Sequence, residues 1–320
     1  MKKTLAILVA IVMAISFTAC SNIASVNNNV SGDTLLLGME ITPPEEYSSV
    51  ERSIDKNTDG TINEKTLTYT LADGSKIAFS TSTEIEDKSL DELLEDSGVK
   101  DIEKREIAGK QFSVFEFGEL YALCQDGAYT YGVQFTFPEE ENDASDETNE
   151  AGDAEEEAKT SEVFDKALEG ISFVEDTTSK ENEEGLEDIN YTLDETLNVV
   201  SIVDTLEETK EGDMVSKSYT WRFGTDKDNL DYRFIIRVIK NTTLDAELDE
   251  SNTYTEKTVG DLTYTVREDS DGNAFEYNIQ HGTDVYVIKN LGDNSGWFID
   301  RSEESYAAFE NLINSISFNQ

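Results

Sequence analysis

The sequence predicts an α+β protein of two similar domains, each an antiparallel sheet covered by a C-terminal amphipathic helix. Three observations carry this. First, apolar residues alternate with other residues along short runs. Tyr232, Phe234, Ile236 and Val238 form one such run, and Tyr129, Tyr131, Val133 and Phe135 another. This is the period of strands with one face on a core. Second, each half closes on apolar residues at helical spacing followed by Ile-Ser-Phe. These are Phe164, Leu168 and Ile171-Ser172-Phe173, then Phe309, Ile313 and Ile316-Ser317-Phe318. Third, the halves match in order along their length. Leu67, Tyr69 and Leu71 fall on Tyr219, Trp221 and Phe223; Leu90, Asp91 and Leu94 on Leu244, Asp245 and Leu248; Cys124-Gln125-Asp126-Gly127 on Ile279-Gln280-His281-Gly282.

The elements follow from the N-terminus. Lys2 and Lys3 precede an apolar run from Leu5 to Phe17, which ends in Thr18-Ala19-Cys20. The run is short of the roughly 20 residues that span a bilayer. A charged start, a short apolar stretch and small residues at its end mark a cleaved signal peptide over residues 1–19. This signal resembles that of bacterial lipoproteins. The resemblance implies a diacylglycerol thioether on Cys20, cleavage before it, and attachment to the outer side of a cytoplasmic or outer membrane. The alternative is an ordinary secretory signal that leaves Cys20 a free thiol. Residues 20–33 are a polar tether. The first domain spans 34–175, a linker 176–186, and the second domain 187–320.

Within each domain, Asp-Gly turns separate the strands at Asp59-Gly60, Asp73-Gly74, Asp126-Gly127 and Asp271-Gly272. A short helix is expected from Ser89 to Asp96, with a counterpart from Thr243 to Glu250. Residues 138–160 hold eleven acids between Glu139 and Glu157 and almost no apolar bulk. Such a segment cannot bury enough surface to offset its ordering entropy, and reads as a disordered insertion.

The order of strands, short helix, further hairpins and closing Ile-Ser-Phe helix is similar to PsbP-like domains of bacterial surface lipoproteins. That resemblance implies binding, adaptor or assembly modules, mostly non-catalytic. The acidic insertion is not part of the family pattern.

Composition bounds the function further. The formal charge is −44, with 69 acids against 25 basic residues. Such a surface repels nucleic acid and anionic membrane faces. With Cys20 lipidated, only Cys124 remains, so no internal disulfide is expected.

Candidate sites are few. Asp55, Asn57, Asp59 and Asn63, with Gly60 between, follow the opening of a calcium loop. The twelfth position, which should be acidic, is Thr66, and Asn63 falls on Val215 in the repeat. A plain hairpin is the alternative. His281 is the sole histidine and lies in a turn, where it decorates the hairpin or serves as a base. Cys124 closes an apolar strand beside Leu120 and Ala122, where it packs as a small hydrophobe or acts as a nucleophile. Trp221 shares the core phase of Tyr69. Trp297 stands beside the last turn and is a candidate for stacking on a sugar or peptide. The resulting expectation is a lipid-anchored extracytoplasmic binding or adaptor protein without cofactor, attached to a membrane through Cys20 and engaging an envelope protein or glycan. The alternatives are a carboxylate-based hydrolase and a structural spacer.

Overall fold

The computed structural model describes residues 34–83, 88–138, 162–175, 186, 188–226, 229–292 and 301–319. The signal peptide, Cys20, the tether, residues 139–160 of the insertion and Trp297 lie outside these. So does the linker, except Leu186, which is not linker at all: it is buried in the second unit's core.

The described chain forms two compact units. Their boundary differs from a single cut between 175 and 187. One unit comprises residues 34–52 and 63–175, and the other 53–62 and 186–319. The strand β3 (Ser49–Asn57) therefore begins in the first unit, and from Ser53 it belongs to the second.

In the first unit, β1 (Leu35–Leu36), β2 (Met39–Ile41) and β10 (Ile171–Phe173) form a small sheet. The larger sheet has β4 (Ile62–Thr70), β5 (Lys76–Ser82), β6 (Glu103–Ile107), β7 (Lys110–Glu116), β8 (Leu120–Asp126) and β9 (Tyr129–Thr136). Their order is β4-β5-β9-β8-β7-β6, antiparallel throughout. The expected short helix forms as α1 (Leu90–Asp96). Ser89 caps it in a reciprocal capping box: its hydroxyl accepts from the Glu92 amide, and the Glu92 carboxylate accepts from the Ser89 amide at 2.9 Å. A second helix, α2, covers residues 162–169. Leu67, Tyr69, Ile77, Phe79, Val133 and Phe135 point to one side of the sheet and form one core with Phe164 and Leu168 of α2.

The second unit repeats this order. It runs β11 (Ile189–Asn190), β12 (Val199–Thr209), β13 (Met214–Asp226), β14 (Asn229–Ile239), α3 (Leu244–Glu247), β15 (Thr255–Val259), β16 (Leu262–Glu268), β17 (Ala274–His281), β18 (Asp284–Gly292), α4 (Glu303–Ser315) and β19 (Ser317–Phe318). Its sheet order is β12-β13-β14-β18-β17-β16-β15, with β3 hydrogen-bonded at the β12 edge. The core gathers Tyr219, Trp221, Phe234, Ile236, Tyr277 and Ile288 under Phe309 and Ile313 of α4. The Phe309 ring lies 5.3 Å from Phe234 and 5.9 Å from Tyr277. In the first turn of α4 Ser305 is buried. Ser302 caps the helix by accepting from the Ser305 amide at 3.1 Å, and Asn290 of β18 donates to the Ser305 hydroxyl at 3.2 Å.

One glycine is required by close approach. A Cβ on Gly224 would stand 2.2 Å from the Asn229 carbonyl oxygen, where β13 turns into β14. No helix among the described residues is long and apolar enough to cross a membrane.

Candidate functional site

The site residues expected from sequence are placed as follows. Asp55 lies in β3 two residues before its end, and its Oδ2 lies 2.5 Å from Arg222 Nη1. Asp59 Oδ1 accepts from the Thr61 amide at 3.0 Å, closing an Asx turn. Asn57 accepts from the Gly60 amide through its carbonyl at 3.0 Å. Asn63 is buried, and its carbonyl accepts from the Thr83 amide at 2.8 Å. In this hairpin the Asp59 carboxylate closes the turn and the Asp55 carboxylate meets a guanidinium.

Cys124 is buried in the first core beside Ala122 and Leu120. Burial pushes its thiol above the ordinary range, which disfavours the thiolate form. His281 stacks on Phe318, with ring centroids 4.2 Å apart and planes 12° from parallel. Trp221 is in the second core, as its phase implied.

What the structure brings together lies on the second unit's sheet, on the face turned away from the core. Tyr219, Trp221 and Phe223 of β13 point into the core, so Ser218, Thr220 and Arg222 point the other way. On β14 the inward residues are Tyr232, Phe234, Ile236 and Val238, and the outward ones include Arg233 and Arg237. Register then decides the arrangement. Ser201 of β12 is opposite Arg222, Arg222 is opposite Arg233 of β14, and Arg233 is opposite Gly292 of β18. Cross-strand partners share a face, and like charges placed directly opposite one another repel.

The row is flanked by carboxylates. Asp55 meets Arg222, as above. Glu207 stands 3.7 Å from Arg237, and the Ser216 hydroxyl links them, accepting from Arg237 at 3.0 Å and donating to Glu207 at 3.3 Å. Glu276, on β17, pairs with Lys289 at 3.3 Å and accepts from Asn278 at 3.0 Å. Arg222 keeps 29% of its side-chain exposure and Arg237 25%. They are therefore half-covered but reachable. Ser201 is fully buried, and its hydroxyl makes no hydrogen bond among the described residues.

Comparison with known proteins adds little. No family model and no curated protein matches the chain. Among solved structures it is similar to MucB in complex with MucA(peri), at 8% identity and a TM-score of 0.16, over 87% of this chain and 95% of that one. It is also similar to the MucA/MucB complex of Pseudomonas aeruginosa, at 10% identity and a TM-score of 0.15, with the same coverage. Scores this low do not establish a common fold.

Sequence reasoning did not single out Arg222, Arg233 or Arg237. Part of the signal was present: the alternation along 232–239 puts both β14 arginines off the core face. The pairing of Arg222 with Arg233 was not, because register is a property of two strands together.

Proposed function

We propose that this chain is a lipid-anchored, extracytoplasmic binding or adaptor protein built from two PsbP-like units, and that it is not an enzyme. The N-terminal signal with Cys20 supports the anchor and the compartment. The observation that carries the binding role is the polar outer face of the second sheet, where Ser201, Arg222 and Arg233 stand in one row. Arg222 and Arg237 stay partly exposed on that face, and charge held on paired strands suits recognition. The two residue types most open to a catalytic reading, Cys124 and His281, are both occupied in packing.

Two measurements test the proposal. Intact mass of the membrane-extracted mature chain is expected to show diacylglyceryl-modified Cys20, with the C20A variant released from the membrane. Pull-down from detergent-solubilised envelope is expected to enrich a defined protein or glycan. An unacylated mature chain would overturn the anchor, and a pull-down indistinguishable from the tag control would overturn the binding role.

A further inference from the structure

The second unit holds a strand that comes from far upstream. Residues 53–62 belong to this unit, and β3 lies beside β12 in its sheet. We infer that the buried Lys56–Asp204 pair selects this neighbour for β12: it admits the chain's own β3 and refuses the β12 of a second copy. The inference goes beyond the binding role and does not depend on it.

The need for selection follows from the sheet. β12 runs for 11 residues, with β13 along one side. Without β3, its other side would be a long row of free N–H and C=O groups, and such an edge pairs readily with another chain. Two copies of this protein would present identical edges, which is the geometry of a symmetric dimer.

The selection acts at Lys56. This residue is 2% exposed, and its Nζ stands 3.8 Å from Oδ2 of the buried Asp204. The ammonium makes no hydrogen bond among the described residues. A pair buried on these terms adds little net stability, because desolvating both charges offsets their attraction. Fixing register or partner is the best-attested use of such a pair. Two further links hold the strand. Asp55 meets Arg222, and the Thr205 hydroxyl donates to that of Ser53 at 3.4 Å.

The internal repeat shows what the pair discriminates against. At the offset that sets Asp55 on Glu207, Lys56 falls on Glu208 and Arg52 on Asp204. The signs are inverted at both places. If the β12 of a second copy took the place of β3 at the same register, its Glu208 would stand where Lys56 stands, against Asp204. Two β3 strands brought together in that way would set Lys56 against Arg52. Acid meets acid in the first case and base meets base in the second. Only β3 on β12 joins opposite signs. Like charges facing one another across strands are destabilising, and repulsion of the wrong partner gives specificity as surely as attraction of the right one. The Asp55 link does not discriminate, since Glu207 would offer Arg222 the same carboxylate. The Ser53–Thr205 link carries no charge. The choice therefore falls to Lys56 and Asp204.

The test uses the full mature chain carrying C20S, with mass read by light scattering after size exclusion and folding read by circular dichroism. Wild type is expected to be a monomer, because a strand in the same chain is present at high effective concentration. D204K sets lysine against Lys56 and offers an attractive partner to Glu208 of a second copy, so a doubled mass is expected. D204K/E208K removes that attraction and is expected to lose the doubled mass. K56E/D204K restores opposite signs within the chain and is expected to return to the monomer. A dimeric wild type, a folded D204K that stays monomeric, or a doubled mass that survives E208K would each overturn the inference. If D204K does not fold, the swapped pair decides: a folded, monomeric K56E/D204K supports the charge rule, and an unfolded one overturns it.

Discussion

The two units run through the same strand order, yet treat the two faces of that sheet differently. On the core face they agree in kind. Tyr69 and Phe79 of the first unit correspond to Trp221 and Ile236 of the second, and Phe164 to Phe309 on the closing helix. The small devices agree too. Gln125 accepts from the Leu90 amide at 3.1 Å, and Gln280 from the Leu244 amide at 2.8 Å, so each short helix is tied to the same hairpin in the same way. On the outer face they part. The first unit carries Thr66, Thr68, Ser80, Gln134 and an aromatic stack of Phe115 on Tyr121. The second carries the arginine row and its carboxylates. A core must exclude water and fill space, and few side chains do both. On the outer face the first unit packs Phe115 and Tyr121 with Leu94 in a small apolar cluster of its own, and there the two units differ in chemistry.

The hairpin next to each final strand shows the same divergence on a smaller scale. Phe173 is covered by the Lys110 ammonium, 4.7 Å from its ring centre, and Lys110 is paired with Asp126. Phe318 is covered by His281, which stands where Asp126 does. A cation over a ring and a ring over a ring close the same gap.

The largest test of the comparison removes the helix anchor. Phe164 and Phe309 are both almost wholly buried, so F164A and F309A are each expected to cost about 3–5 kcal/mol. Urea unfolding measures this. A cost confined to one unit would break the equivalence of the two helices.

The caps of the short helices are expected to differ. Ser89 makes its capping box, whereas Thr243 makes no side-chain cap bond. S89A should therefore lose about 1 kcal/mol, and T243A only a few tenths. Equal losses would show that the second helix is capped in solution.

At the ring covers, K110M and H281A are each expected to cost about 0.5–1 kcal/mol. The lysine contact should weaken in high salt, since it pairs an ammonium with a ring. An H281A cost indistinguishable from zero would contradict the stacking account.

A pH test probes the second unit. Burial raises the Asp269 carboxyl, but hydrogen bonds from Tyr306 and Asn273 outweigh it and hold the pKa at about 2, below its ordinary 3.8. A depressed carboxyl stabilises the fold fully above 3.8 and loses that contribution as pH falls toward 2. Its partner Tyr306 is raised from 10.0 to about 12, chiefly by burial and then by the Asp269 bond. That contribution is present below 10 and is lost as pH rises toward 12. D269N should flatten the acid limb, and Y306F the alkaline one. A D269N chain with an unchanged acid limb in thermal melts would remove the link between the β16–β17 turn and α4.

Much of this molecule was legible from local pattern. The alternation along 232–239, the closing helices, the Asp-Gly turns and Ser89 as a cap are all read from neighbours a few residues apart, because strand phase, helix face and turn geometry are local properties. Tertiary structure decided what lies across strands. From sequence Asp55 is one of four oxygen-bearing neighbours on a single loop, and folding adds a partner the loop does not reveal, Arg222, 167 residues away. Leu186 looked like linker until folding placed it in a core. Phase along one strand says which face a side chain takes. Only hydrogen-bonded register says what stands opposite, and it is register that sets two arginines side by side next to a buried serine.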